Sequence, residues 1–365
     1  MADAIWIDRS DELPALAHVL EEQEWIGVDT EFLRERTFFP KLCLLQLSSG
    51  STIWCVDTLR VGPLEPLMKA LTAAGTRKLL HAARQDLEAV YLTSKGILSP
   101  VFDTQIAAGC VGLKPQVGYA ELVKTLLDVT LPKGQTRTDW SKRPLTTEQL
   151  EYAADDVRFL SAVADTLGEK LDRLNRMHWV VEDCRALEHR DLYEPDLTKS
   201  WQRIRGIAQL APAIRARAKA IAMWRERLAR DRDLPRAWIL DDAALFAIAH
   251  AGPETPAALE AVKPLNERFA TSLLADLAAV ARAELVDLTP ARDSRPTPEQ
   301  KALIEALNKV VDARAQELQV SAEVLAPRGE IKSIALGNRD SPALQGWRAD
   351  EIGRRLLQAL EAKAA

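Results

Sequence analysis

The sequence predicts an α/β domain over its first half and helices alone after about residue 195. Three observations carry that prediction. Short apolar runs bounded by turn residues alternate with helical periodicity up to that point, and strand-like runs then stop. A stretch rich in Pro, Ser and charge, DLTPARDSRPTPEQ at 287–300, divides the helical part in two. The elements follow in order. Residues 14–23 read as a helix, and WIGVD at 25–29 as a short buried strand. Two more strands, 44–47 and 52–56, flank SSGS at 48–51, the signature of a hairpin. A helix is expected over 63–74, a short strand at 79–80 and a helix over 82–92. Residues 128–144 are polar and irregular, and Thr146 with Gln149 forms a capping box for one long helix running to about residue 174. Beyond that, segments 207–230, 241–250, 256–262 and 269–285 are helix-rich, and a last helical block covers 299–362. The two blocks share an order, a basic helix leading through a short loop to an apolar turn and another helix, which reads as a divergent duplication.

At 365 residues, 47% hydrophobic and 28% charged, the chain has the composition of a globular protein with room for two or three domains. It has no run of 18 uncharged apolar residues, so no transmembrane helix and no membrane partner are expected. The start, MADAIWIDRSDE, lacks the basic and apolar regions of a signal peptide, and a cytoplasmic location is the expectation. Cys43, Cys55, Cys110 and Cys184 stand far apart, which argues against zinc and disulfides and for buried thiols. Net charge is −5, yet residues 197–236 hold eleven Lys/Arg against three Asp/Glu, a local +8. Such a cluster suits phosphates; it equally suits a solvated helix face.

Asp29 and Glu31 lie two apart at the end of the first strand, so both project from one face. Two carboxylates there point to a cation, or to a solvent-exposed strand end. Asp86 falls in the first turn of the helix over 82–92, where the helix dipole also favours an acid. On the helix after Thr146, Leu150, Ala153, Val157, Leu160, Ala164, Leu167 and Leu171 form an apolar stripe. Asp156 lies about 60° from its centre and about 40° from Tyr152, while Asp155 points toward water. Asp103 reads as a second acidic candidate or a helix cap, and His81 as a core or substrate-contacting residue. Carboxylates without a Cys/His cluster suit hard divalent ions such as Mg²⁺ or Mn²⁺, and two such ions side by side are suited to phosphodiester cleavage.

D-x-E on an early strand, a mid-domain Asp on a helix and Y-x-x-x-D on a later helix resemble the DEDD exonucleases of the tyrosine subtype. More closely, VDTEFLRERTFFPKLCLLQLS, FDTQIAA and TDWSKRPLTTEQLEYAADDV resemble the ribonuclease D family. MWRERLARDRDLPRAWILDD and LQGWRADEIGRRLL are similar to HRDC domains, the second more loosely. One departure is HAARQD, which stands where many relatives carry an Asn-containing motif; Asp86 keeps its place. The resemblance implies a ribonuclease H-like 3′–5′ exonuclease domain over 1–195, an HRDC domain over 205–288 and an HRDC-like domain over 296–365. It implies two divalent metal ions. Asp29, Glu31 and Asp156 would hold one, with Asp29 bridging to the other, and Asp86 would support that second ion. It further implies that Tyr152 orients the attacking water and that 5′-mononucleotides leave one at a time from the 3′ end. Lys133, Gln135 and Arg143, with His81, would contact substrate. The expected partner is RNA, such as tRNA precursors, handled by a monomer. DNA as the substrate, or RNA binding without catalysis, are the alternatives.

Overall fold

The computed structural model describes residues 4–132, 138–194, 196–282 and 296–364. Six strands form one mixed sheet: β1 (Ile5–Ile7), β2 (Trp25–Leu33), β3 (Lys41–Ser49), β4 (Thr52–Val56), β5 (Arg77–Leu80) and β6 (Val101–Asp103), in the order β1-β4-β3-β2-β5-β6. β3 is antiparallel to both β2 and β4; the remaining pairings are parallel. The expected hairpin is β3–β4, and Gly50, at φ +57°, takes the left-handed turn position that a side chain would strain. β1 and β6 fall outside the expected strands. With three residues each, neither shows enough alternation to register.

Helices cover the sheet: α1 (Leu13–Glu21), α2 (Glu65–Leu71), α3 (Arg84–Ser94), α4 (Thr104–Cys110), α5 (Tyr119–Leu127), α6 (Thr147–Arg158), α7 (Leu160–Arg173) and α8 (Met177–Leu187). The single helix expected from Thr146 to about residue 174 is two. Its capping box forms as read, with Thr146 Oγ1 accepting from Gln149 N–H and Gln149 Oε1 from Thr146 N–H. The break comes at Phe159, whose N–H turns to the Tyr119 hydroxyl at 3.2 Å and to the Val157 carbonyl, and not to the carbonyl four residues back. A tertiary partner taking one backbone donor is invisible in periodicity, because the apolar stripe runs on through the break.

Two compact units emerge. The first comprises the sheet and its helices, up to Tyr193, together with residues from 296 onward. The latter form α14 (Pro298–Leu318), α15 (Ala322–Leu325), α16 (Arg328–Ala335), α17 (Gly346–Arg348) and α18 (Arg354–Ala364), numbered after the helices of the second unit. They dock on α8. Trp347 stacks on Trp179 with centroids 4.1 Å apart, Arg348 pairs with both oxygens of Asp183 at 2.6 and 2.8 Å, and Arg176 donates to the Leu318 carbonyl at 2.6 Å. The second unit holds α9 (Pro212–Asp231), α10 (Arg236–Ile239), α11 (Asp242–Ala251), α12 (Pro256–Val262) and α13 (Glu267–Arg282), joined by residues 34–39. Phe38 enters this unit's core, and the N–H groups of Phe38 and Phe39 both donate to Asp233 at 3.0 Å. A long helix, a four-residue helix and a helix of ten or eight residues recur in α9–α11 and α14–α16, the order expected of a duplication.

Candidate active site

β2 is longer than its neighbour β5. Pairing with β5 spans only Trp25–Gly27, whereas pairing with β3 continues to Leu33. The rest of β2 therefore has an open edge, and the first turn of α3 fills it. The turn is set by Asp103, the residue that could have been a ligand or a cap. Its carboxylate accepts from Gln105 and Ile106 at the start of α4 and from Ala82 and Ala83 at the start of α3. Ala82 is thereby held at φ +57°. Asp103 is a structural cap that aims Asp86.

On the other flank, α6 lies across β2, β3 and β4. It comes close because Gly27 leaves room: a Cβ there would stand 2.3 Å from Ser48 Oγ and 3.3 Å from Leu160. Ser48 in turn donates to the Val157 carbonyl at 2.9 Å. This approach sets Asp156 over Asp29 and Glu31, and oxygen atoms of the three carboxylates lie within 4.8 Å of one another. The β2–β3 register shifts just after Glu31, between it and Phe32, a local bulge of the kind that re-aims side chains at active sites. Asp86 stands outside the group of three and is 8% exposed, with the Thr30 hydroxyl donating to it at 2.5 Å. Tyr152 donates to the Asp156 carboxylate and leans on Trp140, their ring centroids 6.1 Å apart.

Burial, with Asp86, Asp156 and Glu31 adding repulsion, pushes Asp29 well above the usual carboxylate range. Burial raises Glu31 to about 9, and Asp86 and Asp156 to about 7 each. Among the described residues, no basic side chain is a leading influence on any of the four. Converging acids without a cationic partner, presenting only oxygen donors, fit hard divalent cations. Asp29, Glu31 and Asp156 are placed to hold one directly.

The other residues expected at the site fare differently. His81 has both ring nitrogens engaged at 2.9 Å, Nδ1 with the Thr104 hydroxyl and Nε2 with the Val117 carbonyl. Thr104 Oγ1 also reaches the Leu80 carbonyl at 3.0 Å, and burial lowers the pKa of the ring. His81 ties strand end to loop and has no ring nitrogen left for substrate. Arg143 is similarly spent. Its guanidinium makes a two-pronged pair with the fully buried Asp57 at 2.6 and 2.8 Å, and the remaining N–H groups reach the carbonyls of Cys43, Trp140 and Lys142. All five donors are used, so Arg143 pins the approach to α6 instead of meeting phosphate. Lys133 and Gln135 lie outside the described residues. Asp155, expected to face water, is half-buried and paired with Arg158 at 2.8 Å.

Much of the basic run is also committed within its own unit. Arg215 and Arg217 donate to backbone carbonyls, and Arg225, Arg227 and Arg236 pair with Asp242, Asp276 and Glu226. Arg203, Arg205 and Arg230 stay exposed. Trp238 on α10, 61% exposed, was not legible as special, because one Trp in a helical pattern reads as core.

Family models for a 3′–5′ exonuclease and for the HRDC domain match residues 4–172 and 215–280. The chain is 34% identical to ribonuclease D of Granulibacter bethesdensis, covering 96% of this chain and 91% of the relative. It is 35% identical to ribonuclease D of Xanthomonas oryzae, covering 99% of both. Among solved structures it is similar to ribonuclease D of Escherichia coli, described as an exoribonuclease involved in structured RNA processing. That match has a TM-score of 0.88 at 28% identity, over 98% of this chain and 99% of the other. The catalytic core of RRP6 from Trypanosoma brucei shares the fold over 77% of this chain and 80% of its own, with a TM-score of 0.62 at 24% identity.

Proposed function

The chain belongs to the ribonuclease D family, and from that premise we propose that it is a divalent-metal-dependent 3′–5′ exoribonuclease trimming structured RNAs such as tRNA precursors. The observation that carries this reading is the grouping of Asp29, Glu31 and Asp156 within 4.8 Å, with Tyr152 bonded to Asp156 and Asp86 brought up from α3.

Asp29, Glu31 and Asp156 would hold one ion, and Asp29 with Asp86 would hold a second; Mg²⁺ or Mn²⁺ would suit these oxygen donors. When bound, such ions supply Lewis acidity to the phosphodiester and acidify the attacking water. The protein's own part is positioning. Tyr152 is held above its ordinary pKa by burial and then by Asp156, Glu31 and Asp29, so its hydroxyl stays neutral. That O–H donates to Asp156, leaving the oxygen free to accept a hydrogen bond from the attacking water. Tyr152 thus orients the water and takes no proton from it. Attack at the terminal linkage releases a 5′-mononucleotide and leaves a 3′-hydroxyl on the shortened chain.

The helical modules hold the body of the RNA. A monomer in the cytoplasm fits the buried, unpaired thiols of Cys43, Cys55, Cys110 and Cys184, which suit a reducing compartment. Among the described residues no helix is long and apolar enough to cross a membrane.

The test is digestion of a 5′-labelled RNA with a single-stranded 3′ tail, with Mg²⁺, Mn²⁺ or EDTA, beside a matching DNA and the Asp29→Asn variant. A metal-dependent ladder shortening from the 3′ end, absent in the variant and weaker on DNA, is expected. RNA binding without cleavage under every metal would sink the catalytic reading, and equal trimming of DNA would sink the preference for RNA.

A further inference from the structure

Gln46 lies on β3 directly across from Asp29 on β2, and across from Cys55 on β4. Residues paired directly across neighbouring strands project from the same face of a sheet. Gln46 therefore shares the face of Asp29 and Glu31, beneath α6. Gln46 itself is 0% exposed. Its strand neighbours Leu44, Leu45 and Leu47 are equally buried, so an apolar side chain would satisfy packing at this position. Instead an amide stands there with both Oε1 and Nε2 lacking a hydrogen-bond partner among the described residues. Buried amides left this way are rare, and each calls for an explanation. Cys55 offers only a weak S–H donor.

The acids nearby supply the explanation. Thr30 donates its hydroxyl to Asp86 at 2.5 Å, and Tyr152 donates to Asp156. Asp29 has the backbone N–H of Thr30 beside it. Gln46 is a neutral donor on the same face, paired directly across from Asp29. An amide N–H bonded to a ligating carboxylate fixes its direction and favours its ionised form without competing for the cation, as outer-shell partners of metal sites do.

We propose that Gln46 is the positioning residue of Asp29: its side-chain amide donates to the Asp29 carboxylate and fixes that ligand for divalent-cation binding. The inference rests on the reading of the acids as a metal site. It explains why an amide stands between Leu45 and Leu47 with no other hydrogen-bond partner among the described residues.

The test uses the full chain. Gln46→Met keeps the length of the side chain and removes both polar groups, and Gln46→Leu is a second apolar variant. Mn²⁺ binding would be followed by calorimetric titration, and thermal unfolding recorded with and without Mn²⁺, with Asp29→Asn as control. The expected result is about 10- to 100-fold weaker Mn²⁺ binding in both variants, a smaller Mn²⁺-induced rise in Tm, and a metal-free Tm equal to or above that of the wild type. A residue with a merely structural role would move the metal-free Tm and leave Mn²⁺ affinity alone. Unchanged affinity in variants of a wild type that does bind Mn²⁺ would overturn the role of Gln46 alone. A wild type that binds no Mn²⁺ would overturn the metal reading and this role with it.

Discussion

At the residue scale, the proposed function gives Tyr152 and the four acids different roles. Phe in place of Tyr152 keeps the ring against Trp140 and removes only the hydroxyl. Tyr152→Phe should lower kcat by about 10²-fold while Mn²⁺ affinity stays within a few-fold, read by single-turnover digestion and calorimetry. The acids carry a stability signature. Burial raises Asp86 and Asp156 to about 7 and Glu31 to about 9. An acid raised on folding holds a proton the unfolded chain has already lost, so it supports the fold below its unfolded pKa of about 4 and loses that support as pH rises through the folded value. Metal-free protein should therefore lose stability between about pH 4 and pH 9, and saturating Mg²⁺ should flatten that slope. Urea midpoints across pH, with Mg²⁺ and with EDTA, would check it. A metal-free midpoint that rises over the same range would sink the account.

The elements that deliver these residues were legible to different degrees. The D-x-E pair and the Y-x-x-x-D spacing could be placed on a strand and a helix from periodicity, because period two and period 3.6 fix which side chains share a face. Asp86 was legible as a helix-start acid, but the open edge of β2 that it fills was not, since strand lengths relative to neighbours depend on pairing. Arg143 misled for a physical reason: an Arg in a polar stretch looks available until the buried Asp57 is known, and Asp57 lies 86 residues away. Removing that partner leaves a charge enclosed in the sheet. Arg143→Ala should cost roughly 3–5 kcal/mol, read from denaturant unfolding, while Arg143→Lys should recover only part of it because Lys cannot make the two-pronged pair. A near-neutral Ala variant would return Arg143 to the candidates for phosphate binding.

At the scale of the whole molecule, the two helical modules belong to different compact units. Residues from 296 onward belong to the unit that carries the sheet, and Trp347 stacked on Trp179 is their chief anchor. Trp347→Ala should destabilise this unit by about 3–5 kcal/mol, visible as a lower Tm with unchanged metal affinity once folded. The module over 215–280 matches the HRDC family and presents Trp238 to solvent. An exposed indole suits stacking on an unpaired base, worth about 1–3 kcal/mol. Trp238→Ala should weaken binding of a structured RNA about 5- to 100-fold and leave cleavage of a dinucleotide unchanged, measured by filter binding and product release. Equal loss on both substrates would place Trp238 in the fold instead.

The sequence by itself determined the class of fold, the elements on which Asp29, Glu31, Asp86, Tyr152 and Asp156 stand, the capping box at Thr146 and the repeated helical order. All of these are local: they follow from side-chain period, capping chemistry and composition within a few residues. Only the tertiary structure decided that Asp103 caps and aims, that His81 and Arg143 are spent on the fold, that α6 and α7 part at Phe159, and that Gln46 lies beside Asp29. Each of these depends on a partner distant in the chain, and hydrogen-bond satisfaction across that distance leaves no trace in periodicity. A buried donor is settled by whichever acceptor folding brings to it, and that is decided only when the sheet and its helices close together.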